Sequence, residues 1–442
     1  MRGERGNRAS AHASSNVNPN QAPHQPTRSL LHFTASGLLG LSLLVACDPG
    51  DDLDEGGRER AAPTVDALQR ASEEAFLESL EYEPSPEVFE YVGHLDDGDI
   101  APLHPPRRLL EPSDPDDRRA DLVEITTRDG RVYRQRPGTE SSYTSHRSRI
   151  DDQLAGLDLG TSDDTEAVDD LTFRELITDG IDNRTRVTTK TKQGVMVKVA
   201  GSSTSTGTSC SASMIAPRVF LTAAHCITDD NGNYDWGSAD WVMPSARGRS
   251  YSGSNTSLDS NDTPWGARQV TRVIRPLGWL NNRGPRFDYA LLVIGDHGPD
   301  GSGSVQWDPA PVSFAYDSCN DLVGDGVNLR GYPGRTKTCA DASSEDGTQC
   351  GGYAYTEYGP IDACDDDAIY YNLDSQGGQS GSPVYRYDSS TGLRTVVGIN
   401  KGTDSPNARN RAHKIRSGSY STICNAVEDP QNASSYFSNP SC

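Results

Sequence analysis

Eight of the nine cysteines lie beyond residue 200, at positions 210, 226, 319, 339, 350, 364, 424 and 442, and the ninth is Cys47. An even number of cysteines confined to one stretch implies disulfides made in an oxidising compartment, and therefore a fold stapled across its loops. Eight cysteines allow roughly a hundred pairings, so counting them fixes none. The same stretch carries short β-type runs between Gly-, Ser- and Thr-rich turns. Candidate strands are Val195–Val199, Ser213–Ile215, Val219–Thr222, Val270–Val273, Ala290–Ile294, Val327–Gly331, Pro383–Tyr385 and Thr395–Ile399. No long helical period is evident after Ile181. The pattern reads as an all-β barrel or sandwich.

The rest of the chain differs in kind. A length of 442 residues leaves room for two or three domains. The net charge of −22 is concentrated in residues 48–180, which hold 35 Asp and Glu against 14 Arg. The acidity therefore says little about what the C-terminal part binds, and nothing resembles a basic nucleic-acid footprint. Residues 1–46 read as a signal peptide, with an arginine-bearing leader and the apolar run Gly37–Ala46. That run is short for a membrane-spanning helix. Leu44-Val45-Ala46-Cys47 resembles the bacterial lipobox, so Cys47 is the expected lipidation site and a membrane the expected anchor of the precursor.

Residues 47–63 read as a flexible acidic tether and 64–180 as an acidic propeptide. From Thr64, a plausible N-cap, to about Tyr82, apolar residues recur at helical spacing. A Pro/Asp-rich stretch follows Pro84 and runs to 117. Residues 121–136 then alternate around Asp129-Gly130, a hairpin signal. These signals favour a small α+β or partly disordered unit, one that assists folding or blocks a cleft until cleaved, over a plain acidic spacer. The remaining domain is 181–442.

Three motifs in that domain carry chemistry: TAAHC at 222–226, FDYALLV at 287–293 and GGQSGSP at 377–383. A serine hydroxyl is a weak nucleophile at neutral pH and needs a base beside it. Histidine, ordinarily titrating near 6.5, is suited to that task, and a buried carboxylate fixes its tautomer. The assignment is Ser380 as nucleophile, His225 as base and Asp288 as its orienter. A serine between glycines can occupy a tight turn, where the N–H groups of Gly378 and Ser380 converge on an oxyanion. The hydrolase motif G-x-S-x-G is not met, because the fifth position from Gly378 is Ser382. Residues 229–235 (DDNGNYD) misplace the glycine of an EF-hand loop, Cys364–Asp367 reads as a solvated loop, and no Cys/His spacing suits zinc. Neither metal nor cofactor is expected.

The order His, Asp, Ser, with CSASMIAPRVFLTAAHC at 210–226, GW at 278–279, GYPG at 331–334 and LDSQGGQSGSPV at 373–384, resembles the chymotrypsin-like serine proteases. Within them it is similar to the bacterial glutamyl endopeptidases, whose mature N-terminal region Asp182–Val187 also resembles. The resemblance implies two antiparallel six-stranded β-barrels with the catalytic residues between them, a Cys210–Cys226 disulfide, and a secreted or cell-envelope endopeptidase acting on proteins or peptides and made as a zymogen. It places Asp374, Ser375 and Asn400 at the substrate pocket. Two departures bear on specificity. Gln379 stands where trypsin-like animal enzymes carry the Asp that pairs with the freed N-terminus. Asn400 stands where the glutamyl enzymes carry a histidine for the P1 acid, while Asp374 matches the trypsin position that selects Arg or Lys. Acidic P1 ranks above basic P1. The rival reading is a non-catalytic surface-binding protein on the same fold.

Overall fold

The computed structural model describes residues 81–95, 121–139, 183–187, 194–201, 210–228, 239–246, 265–282, 285–295, 311–334, 353–404, 409–432 and 442. The chain divides into units at residues 1–59 and 60–442, and every described residue lies in the second. The signal peptide, Cys47, the tether, nearly all of the helix expected over 64–82, residues 150–180, the 229–235 loop, Cys339 and Cys350 lie outside the described residues. No helix among the described residues is long and apolar enough to cross a membrane.

Three strands precede the domain: β1 (Phe89–His94), β2 (Val123–Thr127) and β3 (Arg131–Gln135). β2 and β3 form the hairpin expected at Asp129-Gly130. Gly130 adopts φ +94°, and a Cβ there would lie 2.5 Å from the His94 ring, so the turn requires glycine. β1 corrects the sequence reading, which took this region as part of a Pro/Asp-rich stretch; it pairs with β3. A short strand β4 (Thr185–Arg186) follows.

The first barrel comprises β5 (Val197–Ala200), β6 (Cys210–Ala216), β7 (Val219–Thr222), β8 (Trp241–Pro244), β9 (Arg268–Pro276) and β10 (Ala290–Ile294), in the order β9-β10-β7-β6-β5-β8 and closed by β8 on β9. Every residue of β7 and β10 is buried, which is why these strands read as unbroken apolar runs. The second barrel begins after β11 (Ser313–Phe314). It comprises β12 (Gly326–Gly331), β13 (Tyr355–Cys364), β14 (Ala368–Tyr371), β15 (Pro383–Asp388), β16 (Leu393–Asp404) and β17 (Arg409–Lys414). Its order is β15-β12-β13-β14-β17-β16, closed by β16 on β15; β11 lies parallel on β16 and β4 pairs with β13. Two closed six-stranded antiparallel barrels thus account for the domain.

A helix, Ser417–Glu428, lies near the end of the chain and corrects the reading that no long helical period is evident. Its buried Tyr420, Ile423, Cys424 and Val427 follow i, i+3, i+4, i+7 and join the first barrel's core. Weak helix formers, Ser, Gly and Thr, surround them and mask the period. Disulfides join Cys210 to Cys226, Cys319 to Cys364 and Cys424 to Cys442. The first was expected. The second ties a helical turn to the end of β13, and the third pins the chain terminus to the helix.

Candidate active site

Strand register brings the first two residues together. Ala290 of β10 stands opposite Thr222, the last residue of β7. In an antiparallel pair, moving back from Ala290 to Asp288 corresponds to moving forward from Thr222 towards His225. His225 sits on a 3-10 turn, Ala224–Cys226, that the Cys210–Cys226 disulfide fastens to the start of β6. A disulfide closing a loop of this size contributes about 3 kcal/mol.

Asp288 is fully buried, whereas the His225 side chain is 30% exposed. The His225 backbone N–H donates to Asp288 Oδ1 at 3.0 Å, and its Nδ1 lies 3.0 Å from Oδ1 and 2.9 Å from Oδ2. An ionised carboxylate only accepts, so Nδ1 carries the proton and Nε2 is left with its lone pair. Lys401 adds a second cation, its Nζ 3.0 Å from Asp288 Oδ2 and over the Trp279 ring at 5.2 Å. Burial alone raises the Asp288 pKa, but His225 and Lys401 outweigh it and hold the carboxyl far below its ordinary value.

The serine arrives on a loop, not a strand. Gly381 adopts φ +83°, and a Cβ there would lie 2.2 Å from Ser211 O, 2.3 Å from Thr222 Oγ1 and 3.1 Å from Ala223 N. The residue after Ser380 is therefore pressed against the strand end that leads to His225. Gly378, at φ +94°, meets Gly334 N in the same way at 2.4 Å, which seats the GYPG stretch behind the loop. Ser211 holds both sides. Its N–H donates to Ser380 O at 2.7 Å, its hydroxyl donates to Gly378 O at 2.9 Å, and that hydroxyl accepts from Tyr332 N–H at 2.8 Å.

Donors along this loop are spent unevenly. The N–H groups of Gln379, Gly381 and Ser382 donate to Gln376 O, Asn400 O and Gln379 O, at 2.9, 2.8 and 3.1 Å. Those of Gly378 and Ser380 donate to no described group.

The pocket candidates Asp374, Ser375 and Asn400 are all buried. Asp374 Oδ2 accepts from Asn183 N–H at 2.9 Å. Asn400 Nδ2 donates to Ser375 Oγ and to Gln379 O, each at 2.9 Å, while its Oδ1 accepts from the Tyr371 hydroxyl at 2.6 Å. Gln379 takes a hydrogen bond from the Arg184 guanidinium, and its Oε1 also accepts from Gln376 N–H at 3.0 Å.

The sequence reading missed Ser211, Arg184, Lys401 and His413. His413, on β17, is buried, with Nδ1 2.9 Å from Pro285 O and its ring stacked 4.9 Å from Tyr289. Only Lys401 carried a usable signal, as a charge two residues beyond the expected strand Thr395–Ile399. Among the described residues, the one cluster of metal-ligand type is Cys210, His225 and Cys226. Its two sulfurs are joined to each other, so neither offers a thiolate. In the Cys364–Asp367 loop, the Asp365 carboxylate accepts from Asp367 N–H, Ala368 N–H and the Tyr370 hydroxyl, at 2.9, 2.8 and 2.8 Å, as a turn residue does.

Residues 183–423 match the family model described as Trypsin. A glutamyl endopeptidase from Bacillus licheniformis is 34% identical over 211 residues, 48% of this chain and 55% of that protein. An extracellular metalloprotease from Bacillus subtilis is 26% identical over 239 residues, 52% of this chain and 64% of that protein. The chain thus spans between half and two thirds of the length of these relatives. A solved structure of a Glu endopeptidase shares 22% identity at a TM-score of 0.40, covering 55% of this chain and 96% of that one.

Proposed function

The chain belongs to the trypsin family, and from that premise we propose that residues 181–442 are a serine endopeptidase domain working through Ser380, His225 and Asp288. Ser380 Oγ attacks the peptide carbonyl while His225 Nε2 takes its proton. The oxyanion is received by the N–H groups of Gly378 and Ser380. His225 then protonates the leaving amine, and water resolves the acyl-enzyme by the same route in reverse. One observation carries the reading: a buried carboxylate takes both N–H donors of His225 beside a loop whose Gly378 and Ser380 N–H groups are unspent.

For specificity, acidic P1 stands ahead. Basic P1 requires an Asp374 carboxyl open to the substrate, and that carboxyl is buried and bonded to the Asn183 N–H. The relative named for glutamyl specificity supports the same choice. Three disulfides among the described residues, and a relative named as extracellular, support secretion. Lipidation at Cys47, the signal peptide and zymogen processing complete the reading and rest on the sequence.

A fluorophosphonate probe tests the chemistry. Wild-type protein incorporates one equivalent, and Ser380→Ala none. Wild-type protein that folds, admits small esters to its cleft and still resists the probe returns the case to a non-catalytic binding protein. A peptide library profiled at P1 then separates acidic from basic preference.

A further inference from the structure

We propose that segment 82–139 remains on the protease domain after the chain is cut between residues 140 and 182, as a non-covalent subunit that donates a strand. The proposal rests on the reading of 64–180 as a propeptide.

The contact is a continuation of the barrel. β2 runs antiparallel along β9 from Val123 opposite Pro276 to Thr127 opposite Arg272, taking up the edge of β9 where β8 leaves it at Gln269. The ladder continues at both ends, with Arg128 N–H on Thr271 O at 2.8 Å and Leu277 N–H on Leu122 O at 2.7 Å. Removing the segment bares that edge, which natural sheets cover.

Side chains cross the seam in four ways. Tyr82, Val123, Ile125 and Tyr133 are buried in one apolar cluster with Ile274 and Leu291. Glu124 and Arg275, with side chains 1% and 3% exposed, meet at 2.8 Å, and the Arg272 guanidinium lies 4.0 Å over Tyr82. Asp121 pairs with Arg416 beside the C-terminal helix, and Arg128 pairs with Asp240 ahead of β8. Gln431 Nε2 donates to Glu83 O at 2.6 Å. The segment therefore grips the first barrel and the C-terminal helix together. None of these contacts involves His225, Asp288 or the Ser380 loop, so the described residues of the segment leave the site uncovered.

The three strands bury Val123, Ile125 and Tyr133 in the cluster shared with the barrel, and release exposes them to water. Release also breaks the buried Glu124–Arg275 pair and the β2–β9 ladder at once. Cleavage in 140–182 cuts the chain between the segment and β4 and breaks none of these contacts.

The full chain carrying Ser380→Ala, with a recognition site for an unrelated specific protease inserted between residues 160 and 170, is cut to completion. It is then run on gel filtration at low-micromolar concentration. Both fragments elute in one peak. Glu124→Ala weakens their association by about a hundredfold or more and splits the peak, while the exposed Glu87→Ala leaves it whole. If Glu124→Ala does not fold, Asp121→Asn takes its place with a smaller loss in the same direction. The N-terminal fragment eluting alone from the cut chain overturns the proposal, whether or not the remainder stays soluble. Because the cut is made externally, the experiment still reads if the natural chain never processes itself. That result defeats only the zymogen reading.

Discussion

In the first barrel, His225 and Asp288 stand a few residues beyond the ends of two strands paired with each other, and the ladder between them sets their separation. In the second barrel, Ser380 stands on an irregular loop between β14 and β15. Its place is set by two positive-φ glycines and by buried polar side chains, Asn400, Gln379 and Ser211. One half relies on repetitive backbone pairing and a charged pair, and the other on single hydrogen bonds and close backbone approach. The first arrangement tolerates exchange of shape-preserving side chains but not loss of charge. The second turns on hydrogen-bond geometry and leaves no room for an added atom.

Asp288→Asn tests the charged half. The side chain keeps its shape, yet the carboxylate that fixes the His225 tautomer is gone, so kcat falls by about 10⁴, and some stability goes with it because Lys401 and His225 lose their buried anion. A fall of less than tenfold removes Asp288 from the mechanism. Gly381→Ala tests the packed half. An added Cβ meets Ser211 O at 2.2 Å in a backbone conformation at φ +83°. Strain of this kind costs about 1–3 kcal/mol, and displacement of Ser380 removes fluorophosphonate labelling as well. Labelling at the wild-type rate shows that the loop is not held as described.

The contrast also explains what the sequence made legible. β7 and β10 match the expected Val219–Thr222 and Ala290–Ile294, because strands buried on both faces read as plain apolar runs. The Asp129-Gly130 hairpin was readable because the turn demands glycine. β17 was not: its sequence RNRAHK is mostly polar, and Asn410 and His413 are buried through hydrogen bonds rather than by their own hydrophobicity. β13 was hidden by Pro360 and by having only Tyr355 and Ile361 fully buried along its length. At the site, the three motifs were legible as local strings. Arg184, separated by 195 residues from Gln379, was not, since no local pattern records so distant a hydrogen bond. The buried placement of Asp374 was equally invisible, because the same letter suits an exposed pocket acid and a buried acceptor.

His413 is where the halves meet, since this second-barrel residue packs under the Pro285–Tyr289 turn that delivers Asp288. Burial, helped by the Arg416 charge, lowers its pKa from the ordinary 6.5 to about 3, against the Pro285 hydrogen bond and Asp288, which raise it; Lys401 lowers it further. The folded state thus keeps His413 neutral while the unfolded chain protonates near 6.5. Its contribution is whole above that pH and is lost as pH falls towards about 3, at up to about 1.4 kcal/mol per pH unit. Asp288, with its lowered pKa, adds loss in the same direction only below about pH 4. Urea midpoints for wild-type protein decline between pH 6.5 and 4.5, and the decline is shallower for His413→Gln. Parallel declines assign the acid sensitivity elsewhere.

The smallest expected effect concerns how the serine loop is secured without an acidic residue before the nucleophile. Arg184 is 3% exposed and donates to Gln379 Oε1, while Asn183 N–H reaches Asp374 and β4 pairs with β13. These contacts fasten the segment beginning at 183 to the residues around Ser380 from within the chain. Arg184→Met leaves Gln379 Oε1 with the Gln376 N–H. A hydrogen bond to a charged group contributes about 1.5–3 kcal/mol, so kcat and the labelling rate fall by about tenfold or somewhat more, with KM for a small ester unchanged. Arg184→Lys retains the charge without the fork and recovers part of the rate. If both variants match wild type, the segment is only a clasp on the second barrel. A fall in kcat for Met, partly restored by Lys, makes Arg184 a positioning residue for the oxyanion loop, and the serine half then depends on one distant cation much as the histidine half depends on Asp288.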